Sequence, residues 1–375
     1  MKTSAGREAD VSRRTFVVGS AAAGGGLALG LNTYAARSAQ AQNAAEGPAE
    51  INAWVLIKPD DTCVIRIARS EMGQGTRTGL AQLVAEELEC DWKKVTTESI
   101  TPGQNLARKR VWGEMGTGGS RGIRTSQDYV RRAGAAARMM LLQAAASEWN
   151  VPVGELTVVD GVIAHGPSNR TTSYGKVAAA AAKLPPPDPK SIVLKNPKDW
   201  KIAGQAVKRL DTADKLNGSK VFAIDVKLPG MLCAAIKDCP VFGGKVKGYD
   251  ESKILSRSGV RRVMRVNDTA VAVVADTWWR AKSALDALPI EWDDSGNAAK
   301  SSATIAELLT DGLAATRTNG EVQNGDALAA IASAAKRLEA VYRTPFLAHA
   351  TMEPMNCTAK ISAEKAEVWV ATQNS

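Results

Sequence analysis

The hydrophobic positions between residues 54 and 100 change period twice. Trp54-Val55-Leu56-Ile57 and Cys63–Ala68 flank Pro59-Asp60-Asp61, a turn sequence, which predicts a β-hairpin. In the second run Ile65 and Ile67 fall on one face and Arg66 on the other, with Arg69 just beyond, so one face is expected to be wet. From Leu80 the spacing turns helical through Leu83, Val84, Glu87 and Leu88, and Val95–Ile100 reads as the next strand. A long helix is predicted over Thr125–Asn150. Its buried stripe is Val130, Ala133, Ala137, Met140, Leu141 and Ala144, mostly small enough for close packing. Leu156–Val159 and Val162–Ala164 form a strand pair around Asp160-Gly161. Ser173–Lys183 is helical, and Pro185-Pro186-Pro187-Asp188-Pro189 ends it.

A new unit begins near Val207. Strands are predicted at Val221–Val226, Met231–Ile236, Val260–Val266, Ala270–Val274 and Ile290-Glu291-Trp292, with a helix over Thr277–Leu288. Residues 294–334 are polar and Ala-rich. A short helix follows over Ala327–Ala335, then strands at Leu338–Tyr342 and Glu367–Ala371. The chain reaches Ser375 without a capping element or polar tail, which reads as a cut. The fold class expected is α+β.

The first residues change the picture. Ser12-Arg13-Arg14-Thr15-Phe16 is a twin-arginine pattern, Phe16–Leu31 is weakly apolar, and Ala39-Gln40-Ala41 offers a cleavage site. Residues 1–41 therefore read as a signal peptide for a periplasmic protein, or one on the periplasmic face of the inner membrane. The net charge of +9 is spread out rather than massed in a Lys/Arg block, so nucleic acid is not an expected partner. Five scattered cysteines (Cys63, Cys90, Cys233, Cys239, Cys357) have neither zinc nor iron–sulfur spacing. Two histidines, His165 and His349, leave little for a His-ligated metal.

The candidate chemistry lies in two glycine turns that feed helices. The first is Glu71-Met72-Gly73-Gln74-Gly75 and the second Gly113-Glu114-Met115-Gly116-Thr117-Gly118-Gly119-Ser120-Arg121. Such turns bring free backbone N–H groups to an anion. On the bland reading, the second turn is only a helix entry capped by Ser120. Arg121 and Arg124 could pair with phosphate or sit in a solvated helix start. Gly73-x-Gly75-x-x-x-Gly79, with Glu98 as a ribose acid, also suits an NAD-dependent oxidoreductase. Against that, a dinucleotide fold opens on a buried parallel strand, and the arginines predict an antiparallel hairpin here.

Met72-Gly73-Gln74-Gly75, Gly118-Gly119-Ser120, the 207–293 module and Met352-Glu353-Pro354, in that order, resemble the xanthine oxidase/aldehyde oxidoreductase family. The order, with Met-Gly-Gln-Gly ahead of the module, is most similar to isoquinoline 1-oxidoreductase beta subunits. The resemblance implies molybdenum-cofactor-binding domain portions flanking an a/b hammerhead domain. Residues 50–184 would be the first cofactor-binding segment, 185–206 a linker, 207–293 the hammerhead and 294–375 the start of the following cofactor-binding domain, truncated. It also implies a molybdopterin cofactor, as the cytosine dinucleotide, with molybdenum held by no protein ligand. Gly73, Gln74, Gly75, Gly118, Gly119 and Ser120 would contact that cofactor. The implied reaction is oxidation of aldehydes or N-heterocycles with water as oxygen donor. The implied partners are a small 2Fe-2S subunit and, as a further electron acceptor, a c-type cytochrome. No catalytic base matches, so this chain alone is expected to be inactive. A truncated, non-catalytic exported binding or scaffold protein is the alternative. Phe242-Gly243-Gly244-Lys245 imitates a cofactor loop of the family but reads as a hairpin feature. Trp278 and Trp279 read as core or interface residues, and His349 as a structural hydrogen-bonder.

Overall fold

The computed structural model describes residues 47–314 and 324–374, so the twin-arginine segment lies outside the described residues. The chain divides into two compact units. One runs to Ile224 and takes in Met355–Ser375, and the other is Asp225–Pro354.

In the first unit, β1 (Ala49–Glu50), β2 (Val55–Ile57), β3 (Cys63–Ile67) and β4 (Val95–Ser99) form one sheet in that order. The hairpin is present: β2 pairs antiparallel with β3, Val55 opposite Ile65. The far side of β3 differs from expectation. Helix α1 (Thr76–Leu88) crosses over, and β4 returns parallel to β3, with Cys63 opposite Val95 and Ile67 opposite Ser99. The arginines that predicted a wet face are covered. Arg66 bonds Glu50 at 2.7 Å and Glu98 at 3.3 Å, and its guanidinium lies 5.7 Å from the Trp112 ring. Arg108 stacks on the same ring and pairs with Glu50. Glu98 is thereby engaged by Arg66 on the sheet.

Helix α2 (Gln127–Trp149) packs along α1. Their closest approach is at Gly134, where an added methyl would run into the Val84 carbonyl and stand 3.1 Å from Glu87 Cβ. The smaller sheet of β5 (Leu156–Val159), β6 (Val162–His165) and β7 (Arg170–Ser173) leads into α3 (Tyr174–Ala181). Tyr174 is buried at its start and donates to the Leu88 carbonyl at 2.6 Å.

Residues 185–206, expected to be a linker, are strapped to α1 by two buried carboxylates. Glu86 accepts from the backbone N–H groups of Lys201, Ile202 and Ala203 at 2.8, 2.6 and 3.1 Å, and from the Lys195 ammonium. Glu87, fully buried, accepts from Arg131 at 2.9 Å and from Lys195 N at 3.0 Å. Burial pushes the Glu86 pKa up. The Lys195 bond and the three backbone donors outweigh it and hold the group below its ordinary 4.5.

In the second unit, β8 (Cys233–Asp238), β10 (Val260–Val266) and β11 (Ala270–Ala275) make a sheet in the order β10-β11-β8, and β9 (Lys245–Tyr249) pairs with β12 (Ile290–Asp293). Helix α4 (Trp278–Asp286) packs on the three-stranded sheet through Ala281, Ala284 and Leu285. Two expectations fail. Val221–Val226 is not a strand: it runs irregularly into a short helical turn at Ala223–Asp225, with Val221, Phe222 and Ile224 exposed. Leu338–Tyr342 is likewise irregular and exposed. Of the two readings of Trp278 and Trp279, core or interface, the structure removes the core one: they are 56% and 72% exposed. Cys357–Ile361 (β13), missed in the sequence, pairs with β14 (Ala366–Val370) in the first unit.

Two outcomes follow. Gly134→Ala gains about 1 kcal/mol of intrinsic helix preference but overpacks the α1–α2 contact at a cost of about 1–3 kcal/mol. Its urea midpoint should therefore fall, where an exposed helical glycine would give a rise. Glu86→Gln should cost about 3 kcal/mol at pH 7. Glu86's contribution is present above its unfolded pKa and lost as pH falls through the lowered folded value. Urea titrations below pH 4.5 should thus show wild type and variant converging.

Candidate functional site

The two glycine turns meet at the C-terminal end of β3. Arg69, 5% exposed, reaches from the strand into the second turn. It donates to the Gly116 carbonyl at 2.6 Å, to Ser126 Oγ at 2.9 Å and to Thr125 Oγ1 at 2.9 Å. Ser70 N donates to the Met115 carbonyl at 2.9 Å. Asn105, buried in the preceding short helix, bonds the Gly113 carbonyl at 2.9 Å and the Trp112 N–H at 3.2 Å. The second turn thus hangs from a buried cation and a buried amide.

Gln74 joins the turns. Its Oε1 accepts from Met72 N at 2.7 Å. Its Nε2 is shared among the Ser70 carbonyl, Thr76 Oγ1 and Thr117 Oγ1, at 3.0 to 3.1 Å. Close approach is possible because the facing positions are small. A methyl at Gly122 would stand 2.7 Å from Thr76 Oγ1, and one at Gly79 would stand 3.0 Å from Ile123 Cδ1. Gly73 and Gly75 have φ of 102° and 91°, which only glycine adopts readily.

Gly118, Gly119 and Ser120 form a tight helical turn in which Gly119 has φ 68° and Ser120 φ 56°. Ser120 does not cap the helix that follows: its side chain makes no cap bond. The arginines act on the turn itself. Arg121 donates to the Gly118 carbonyl at 3.0 Å and Arg124 to the Gly119 carbonyl at 3.4 Å. Gln373 and Asn374 also reach this turn, and no local pattern pointed to them. The Gln373 carbonyl accepts from Thr117 N at 2.8 Å, and a methyl at Gly116 would stand 2.8 Å from Asn374 Oδ1. Beside this turn opens a cavity of about 380 Å³, with Arg110, Glu114, Arg121, Asn105, Gly116 and Asn374 in its lining. The Phe242–Lys245 stretch lies in the other unit, as a turn entering β9 with Phe242 exposed. His349 is exposed, whereas His165 is buried between Ser168 and Glu155.

Residues 5–222, which contain both turns, match the family model of the molybdopterin cofactor-binding domain. The chain belongs to that family. This molybdopterin cofactor-binding chain is 27% identical over 413 residues to the isoquinoline 1-oxidoreductase subunit beta of Brevundimonas diminuta, covering 97% of this chain and 52% of that protein. It is 30% identical over 304 residues to the membrane-bound aldehyde dehydrogenase [pyrroloquinoline-quinone] of Gluconacetobacter polyoxogenes, covering 76% and 38%. It thus spans about half or less of these relatives' length. A slighter likeness, TM-score 0.24 at 18% identity over 35% of this chain and 16% of the other, is to quinoline 2-oxidoreductase from Pseudomonas putida 86.

The cofactor-binding chain offers a lining that suits an anionic, amide-rich group such as a pterin phosphate. Two guanidinium groups, two amides and a glycine backbone border the cavity, together with one carboxylate, Glu114, which Arg121 bonds at 3.3 Å. Among the described residues, no cluster of three or more His, Cys, Asp or Glu could hold a metal ion.

Gln74→Ala removes the joint between the turns. Amide hydrogen exchange should speed up at Met72, whose N–H loses its acceptor, while global stability falls by only about 1 kcal/mol.

Proposed function

We propose that this chain is the N-terminal, cofactor-cradling part of a molybdenum hydroxylase large subunit. Its substrates are aldehydes or N-heterocycles such as isoquinoline, with water as oxygen donor. The observation that supports this reading is the family match over residues 5–222, with both glycine turns inside it and joined by the bond from Gln74 to Thr117. Relatives that span the chain carry the same substrate classes in their names.

In this reading Gly73, Gln74 and Gly75 border the pterin, and Gly118, Gly119 and Ser120 border its phosphate or cytosine dinucleotide end. When bound, the cofactor supplies two-electron oxidation of an electron-poor carbon. These residues orient that group. Gln74 offers an amide between the turns. Arg121 and Arg124 fix the carbonyls of Gly118 and Gly119. The second unit, with its small sheets and packed helix, carries the proposed a/b hammerhead domain. A 2Fe-2S subunit and a c-type cytochrome are the proposed electron partners. Export by the twin-arginine route is proposed from Ser12–Phe16.

The test is metal and pterin content. The full large subunit, purified with its iron–sulfur partner, should carry stoichiometric molybdenum by elemental analysis and a pterin by fluorescence after oxidation. Gly119→Val forces a branched side chain to φ 68°, which costs about 1–2 kcal/mol, and should lower molybdenum content several-fold with the fold retained by circular dichroism. Wild-type protein free of molybdenum and pterin would overturn the reading.

A further inference from the structure

Gly73, Gly75 and Arg77 turn three backbone N–H groups toward one point at the N-terminus of α1, an arrangement that receives oxyanions. The point is filled from within the chain. Glu71 Oε1 accepts from Gly73 N at 2.7 Å and Gly75 N at 3.1 Å, and Oε2 accepts from Arg77 N at 2.8 Å. The Glu71 side chain is 15% exposed.

A cation closes the remaining side. Arg209 Nη2 lies 3.5 Å from Glu71 Oε1, and its Nη1 donates to the Gly73 carbonyl at 2.7 Å. Arg209 cannot swing freely. Its Nε and Nη2 each donate at 2.9 Å to Asp211, a buried carboxylate that also takes Lys215 at 2.7 Å. The Arg209 bonds, with help from Lys215, hold Asp211 well below the usual carboxylate range against the effect of burial. The guanidinium is therefore aimed by a separate ion pair and not by Glu71 itself.

We infer that Glu71 is a built-in oxyanion, a positioning and specificity-determining residue that fills the first turn's nest with the chain's own carboxylate. The turn then has its shape before any ligand arrives. A free phosphate must displace a tethered competitor that already holds the three donors, and tethering gives that competitor a high effective concentration. The turn is thereby closed to phosphate esters and open to a neutral hydrogen-bonding edge, which meets Gln74 and the outer face of Gly73. Only this last step rests on the proposed cofactor role of the turn. The filled nest does not.

The experiment follows thermal unfolding of the purified full chain in sodium sulfate against sodium chloride at matched ionic strength. Glu71→Ala should lower Tm by about 5 °C. Sulfate, and not chloride, should restore most of that loss, so the sulfate-dependent rise exceeds that of wild type. Glu71→Asp keeps the charge and should show no added sulfate response. If Glu71→Ala yields no folded protein, Glu71→Gln carries the test, because it keeps the shape and loses the charge; a partial sulfate response above wild type is expected. A saturable rise in wild type as large as in the variants, or no gain over wild type in either variant, overturns the inference. Molybdenum content of the same wild-type preparations reports on the cofactor reading separately, since the anion titration needs no cofactor.

Discussion

Two adjacent carboxylates at the end of α1 hold the first unit together. Glu86 and Glu87 sit in the last turn of the helix, where the helix dipole disfavours negative charge. They are buried there because each is surrounded by donors, from Lys195, Arg131 and three consecutive backbone N–H groups. A buried charge is tolerated only when it is so paired. The pairing lays residues 195–203 along the helix. A few residues later the chain delivers Leu210 N to Thr78 Oγ1 and Arg209 to the glycine turn. The C-terminal end of α1 thus determines what reaches its N-terminal end.

Small residues complete the arrangement from the other side. Gly134 lets α2 lie directly on the backbone of α1, and Gly79 and Gly122 let the second turn approach the first. Carboxylates draw segments toward the helix, and glycines remove what would hold them off. Both turns owe their closeness to these two devices more than to contacts of their own.

The periodic parts were legible in the sequence. The 3.6-residue stripe of α2, the β2–β3 hairpin around Pro59-Asp60-Asp61 and the two glycine turns all depend on local pattern. What was not legible depended on distant partners. Arg66 reads as a wet position until Glu50, Glu98 and Trp112 are seen to cover it. That covering is why a parallel neighbour to β3 went unexpected. Glu87 fitted the apolar stripe for the right reason, burial, but its partner Arg131 lies on another helix. The proline run marked the end of α3, and nothing local marked that the following segment would be strapped down. In the candidate site the glycines were visible, whereas Glu71's role needed Arg209, more than a hundred residues away. Val221–Val226 shows the converse: strand propensity alone made no strand there, and Val221, Phe222 and Ile224 stand exposed.

The bond from Thr117 N to the Gln373 carbonyl also bears on time. The two residues leave the ribosome about 250 positions apart, which at roughly 5–20 residues per second is on the order of 10 to 50 seconds. Throughout that interval the first turn has Gln74 in reach, but the second has one N–H without its acceptor and one wall missing from the adjoining cavity. During synthesis, then, the second turn is the last part of the pair to close.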